Sequence, residues 1–94
     1  MTATLLAPVR LDHIRPQRHV SLTGTIRATG TVSVGPSPVY RCVLAGDWGE
    51  SDLLFLGRPV IAGLTAGTRC RVQGTVATHC DRLAIWNPRY QVEP

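Results

Sequence analysis

Ten arginines, three cysteines and three histidines are the side chains of this 94-residue chain best equipped for chemistry, and there is no lysine. Cys42, Cys70, His79 and Cys80 carry donor atoms suited to zinc, but no CxxC pair or other ligand spacing draws them together. Cys42 and Cys70 also fall on the apolar parity of their segments, where a thiol packs as a small hydrophobe. His13, His19 and His79 are dispersed, with no serine or carboxylate set around them as a nucleophile and base. No GxxxxGK[ST] loop is present to cradle a phosphate. No catalytic residues, no metal and no cofactor are therefore expected, and the chain reads as a non-enzyme. Arginine chemistry remains. The planar guanidinium forks onto phosphate and stacks on bases, which an ammonium does not do. A lysine-free composition also fits codon bias in a GC-rich genome, so only the net charge of +4 argues for a polyanionic partner.

The arginines need elements to hold them, and alternation supplies those elements. In "TRCRVQGTVAT", Cys70, Val72, Gly74 and Val76 share one parity and Arg69, Arg71, Gln73 and Thr75 the other. A strand sends alternate residues to opposite sides, so one side suits a core and the other water or a partner. "HVSLTGTIRAT" alternates in the same way, and "GTVSVGPSP" then reads as a glycine- and proline-punctuated loop. "VYRCVLAG" and "SDLLFLG" are strands two and three around the turn "DWGE". "RPVIAGLTAG" has room for one or two helical turns between Pro59 and Gly67. "RLAIWNPRY" follows the tight turn "HCD" as a fifth strand, which Pro88 interrupts or ends. Gly24 and Gly74 fit points where a strand bends sharply or another backbone comes close.

Five short strands with a helical connection between strands three and four suit a small, closed all-β barrel. Closure also removes exposed edges. The expected division is a lead-in or tail over residues 1–17, with its Pro8 and Pro16, and one barrel over 18–94. An odd number of scattered cysteines fits a reducing compartment. No apolar run is long enough for a signal peptide or a membrane span. The expectation is a soluble cytoplasmic protein that does not engage a membrane; composition leaves its oligomeric state open.

The order of these segments resembles an OB-fold domain over residues 18 to 93. The likeness runs from the G-T-I of strand one, through "LAGDWGESDLLFLGR", to "GLTAGTRCRVQGTV" and "LAIWNPRY". It is similar to the anticodon-binding and RecG-helicase wedge branch, and looks closer still to small stand-alone actinobacterial OB-fold proteins. The resemblance implies a five-stranded Greek-key barrel that binds nucleic acid on the face of strands two and three, flanked by the first-second and fourth-fifth loops. Arg41 is then the best-placed cation, since Tyr40, Cys42 and Leu44 would turn inward. Arg27, Arg58, Arg69 and Arg71 are the further candidates for phosphate contact. Each taken alone reads first as a solvated surface charge; it is the group that argues for phosphate.

Two features temper the expected site. Asp47, Glu50 and Asp52 gather at one hairpin, which phosphates would avoid. Eight arginines and five carboxylates lie within 18–94, leaving a modest +3. Aromatic side chains are few, whereas each base stacked on a ring gains about 1–3 kcal/mol. Trp86 shares parity with Arg82 and Ala84 and is the candidate stacking platform; the alternative is that it covers one end of the barrel. Tyr40 and Phe55 read as core, and Tyr90 fits either role. The expected function is a non-catalytic nucleic-acid-binding module for single-stranded or branched DNA with little sequence preference. The alternative is a protein-interaction module that docks through Val39, Val43 and Leu54.

Overall fold

The computed structural model describes residues 18–93, so the expected lead-in lies outside the described residues. Six strands follow one another: β1 (His19–Val34), β2 (Ser37–Gly46), β3 (Gly49–Leu56), β4 (Arg69–His79), β5 (Arg82–Trp86) and β6 (Arg89–Val92). They form one sheet in the order β1-β2-β3-β5-β4-β6, and an added β1–β4 pairing closes it into a barrel. All pairings are antiparallel except β3 with β5.

The length of β1 makes closure possible. Its first half pairs with β4, from His19↔Thr75 to Thr25↔Arg69, and its second half with β2, from Thr25↔Ala45 to Val34↔Ser37. A strand shared between two neighbours must bend, and a register shift between Ile26 and Ala28 marks the bend. Gly24 sits just before it, where a Cβ would collide with the carbonyl oxygen of Ala45. At Gly74 a Cβ would strike Ile85 Cγ2 at 2.5 Å. Both glycines thus stand at close approaches, as their position within strands implied.

Alternation delivers the core. Val20, Leu22, Ile26, Tyr40, Cys42, Leu44, Leu53, Phe55, Cys70, Val72, Val76 and Ile85 are buried inside the barrel. Trp48, at the β2–β3 turn, folds back over one end and donates its indole N–H to the carbonyl of Thr23 at 2.9 Å. The fifth strand is split, as Pro88 foretold. β5 and β6 follow the same edge of β4, and Asn87 between them adopts a left-handed φ of 49°. Asn87 ties that break to β3: its N–H donates to Leu54 O (2.7 Å) and its Oδ1 accepts from the Leu56 N–H (2.9 Å).

Two expectations need correction. The connection between β3 and β4 contains no helix; it has isolated turns, closed by Leu64 N–H to Ile61 O and Thr68 N–H to Thr65 O. Gly57, Gly63 and Gly67 take φ values of 80°, 87° and 93°, which a right-handed helix does not admit. The segment still fulfils a capping task, because Ile61 and Leu64 are buried and the Tyr40 hydroxyl donates to Leu64 O at 2.6 Å. Nor is "GTVSVGPSP" a loop. Both strands run through it, leaving only Gly35 and Pro36 as the turn. Beyond the register shift at Ile26/Ala28, Val32 and Val34 face the outside of the barrel, where Val34 packs on Val39, Leu54 and Ala84.

Candidate nucleic-acid interface

The barrel presents two very different outer faces. On β2–β3–β5 the outward residues are closed off. Val39, Leu54 and Ala84 form a second apolar cluster outside the barrel, packed by Val34 and Trp86, and Val43 is buried as well. Asp52 lies next to Val43 and Ala84 in the register and is only 2% exposed. Such a charge needs partners, and it has two. Arg82 reaches both carboxylate oxygens with Nε at 3.0 and 3.1 Å, and Arg41 reaches them with Nη2 and Nε at 3.2 Å. Hydrogen bonding to Asp52 raises the Arg82 pKa above its already high ordinary value. Glu50 extends the network, bonding Arg27 and lying 3.7 Å from Arg82. Of the acids expected as a cluster at the hairpin tip, Asp47 stands in the turn, whereas Glu50 and Asp52 lie along β3, each holding arginines.

The face of β1–β4–β6 is open and polar. Thr23, Arg71 and Gln91 lie abreast in one row, and Ser21, Gln73 and Arg89 in the next. Arg71, Gln73, Arg89, Tyr90 and Gln91 line a groove of about 150 Å³. That is below the 300 Å³ or more typical of a small-molecule pocket, so the groove suits one group of a larger ligand. Tyr90, 43% exposed, pairs with Val72 on the inward parity, and its ring meets Phe55 edge-on, with centroids 5.7 Å apart. Glu93 borders this face, its carboxylate 3.3 Å from Arg69 Nε and 3.6 Å from Arg71 Nη2.

The arginines singled out from the sequence therefore divide. Arg27 and Arg41 belong to the ion-pair network over β2–β3–β5, whereas Arg69 and Arg71 stand on the β4 face, both more than half exposed. Arg58 is exposed in the β3–β4 connection and has no carboxylate within ion-pair distance among the described residues. Trp86 is half-buried against the outer apolar cluster, its ring edge-on to His79 at 5.2 Å. Val39, Val43 and Leu54, the expected apolar dock, are 0%, 6% and 0% exposed. They cannot dock a partner from there. Arg89 and Gln91 escaped the sequence reading as site residues; their shared parity just after Pro88 was the available signal.

Cys42 and Cys70 are buried in the core, and Cys80 is exposed in the β4–β5 turn. Burial, with Cys70 nearby, pushes the Cys42 thiol up to about 11; burial and then Glu93 push Cys70 up too. Among the described residues no helix is long and apolar enough to cross a membrane.

No family model matches the sequence, and neither does any curated protein. Among solved structures, the solution NMR structure of the OB domain of Ta0387 from Thermoplasma acidophilum is similar, with a TM-score of 0.68 at 16% identity. The match covers 90% of this chain and 85% of that one. Together with a closed barrel in which β3 and β5 run parallel, this likeness shows that the chain has an OB fold.

Proposed function

We propose that this OB-fold domain is a non-catalytic module that binds single-stranded or branched DNA with little sequence preference. One observation carries the reading. The outer face of β1–β4–β6 sets Arg69, Arg71 and Arg89 among Thr, Ser and Gln side chains. Guanidinium groups take the phosphates, and the neighbouring hydrogen-bonding side chains face the bases. Arg58 is a further phosphate contact from the β3–β4 connection. Arg27, Arg41 and Trp86 contribute from the neighbouring face, more weakly, because other side chains already engage them. On this reading the protein works in the cytoplasm. Its sequence likeness points to the RecG-wedge and anticodon-binding branch of OB domains and to small actinobacterial stand-alone members.

Fluorescence anisotropy of a labelled oligothymidylate, titrated at rising salt, tests the reading. With three to five phosphate contacts, log K falls against log salt with a slope of about −2 to −3.5. The double variant Arg71→Ala/Arg89→Ala should bind at least about tenfold more weakly while melting like the parent. Absence of binding at the lowest salt would discard the nucleic-acid reading.

A further inference from the structure

Glu93 is the only carboxylate among the described residues that pairs with the arginines of the β4 face. It is held there by the backbone as well as by charge. Its N–H donates to the carbonyl of Arg69 at 2.8 Å, extending the β4–β6 ladder by one step. The carboxylate spans two guanidiniums, at 3.3 and 3.6 Å, and offers each an anionic oxygen. A phosphodiester would present the same pair of oxygens to the same fork. Both arginines remain more than half exposed, so an incoming anion can reach them without moving the barrel. We infer that Glu93 is an internal competitor for the phosphate subsite formed by Arg69 and Arg71, and that it sets the affinity of this face by occupying the subsite until a nucleic-acid backbone displaces it.

The inference rests on the proposed nucleic-acid reading and specifies how that site is tuned. Exposed ion pairs are weak, which suits a displaceable partner. A backbone with several phosphates can displace Glu93 while also engaging Arg89, whereas an isolated anion must win at one subsite alone. The device therefore favours polymers.

The test compares anisotropy titrations of one labelled oligothymidylate with the parent chain, Glu93→Gln and Asp47→Asn. Asp47 is exposed at the β2–β3 turn and pairs with neither Arg69 nor Arg71, so its variant makes the same change in net charge outside the Glu93 cluster. Glu93→Gln should bind about three- to tenfold more tightly at low salt. Its log–log salt slope should steepen by about 0.7 to 1.4, one or two further phosphate contacts on a single strand. Asp47→Asn should change neither by as much, and the gain from Glu93→Gln should shrink when Arg69→Gln is also present. If Glu93→Gln binds like the parent, or Asp47→Asn gains equally, the inference falls and the nucleic-acid reading stands. If no variant binds at the lowest salt, both fall. Thermal melting of each variant confirms that folded protein is being compared.

Discussion

Asp52 governs which arginines are available. Its carboxylate is almost wholly buried and held by Arg41 and Arg82 from opposite sides along the sheet. Asp52→Asn would leave the shape and remove the charge both guanidiniums face. Removing one partner of a buried ion pair costs about 3–5 kcal/mol. Here the partners are 36% and 40% exposed and can rehydrate, so a loss of about 2 kcal/mol in urea unfolding is expected. The thiols give a second test. With the Cys42 pKa at about 11, its thiolate is scarce at neutral and mildly alkaline pH, and burial blocks access. A colorimetric thiol reagent should label Cys80 quickly in the native protein and reach Cys42 and Cys70 only on unfolding. Rapid labelling of all three would contradict the described core. Inward residues were legible because alternation is local. Partnership was not: Arg41 and Asp52 meet across a hairpin, and Arg27 and Glu50 only after β1 and β3 have been placed.

The strands were mostly readable because each alternates over a few consecutive residues, and Pro88 announced the break in the fifth. The β3–β4 connection misled because helix propensity counts residues, while three glycines at positive φ decide the path. The β4–β5 turn is a further case. Cys80 and Asp81 both take positive φ, 53° and 63°, the conformation of a type I′ hairpin turn. Neither residue is ideal there. Asp81→Gly should stabilise the protein by about 1 kcal/mol, relieving the left-handed penalty, and raise Tm by about 4–8 °C. Gly24→Ala should do the reverse, costing about 1–3 kcal/mol, because the new methyl meets the fixed carbonyl of Ala45. A calorimetric scan of each variant reads both effects.

The barrel as a whole turns a small excess of positive charge into a directional one. Over β2–β3–β5 three arginines share two carboxylates, and the apolar residues beneath are closed off. Over β1–β4–β6 only Glu93, among the described residues, offsets the arginines, and their neighbours are hydrogen-bonding side chains. The sequence placed the arginines of β4 outward, yet it could not say which outer face would stay open. That depends on the sheet order, which brings β6 beside β4 and Asp52 beside Arg82. Chemical-shift mapping of the 15N-labelled chain with an oligothymidylate measures this asymmetry directly. Shifts should cluster at Ser21, Thr23, Arg71, Gln73, Arg89 and Gln91 and weaken as salt rises. Shifts confined to Arg41, Val43, Asp52 and Leu54, with the β4–β6 amides unmoved, would contradict it.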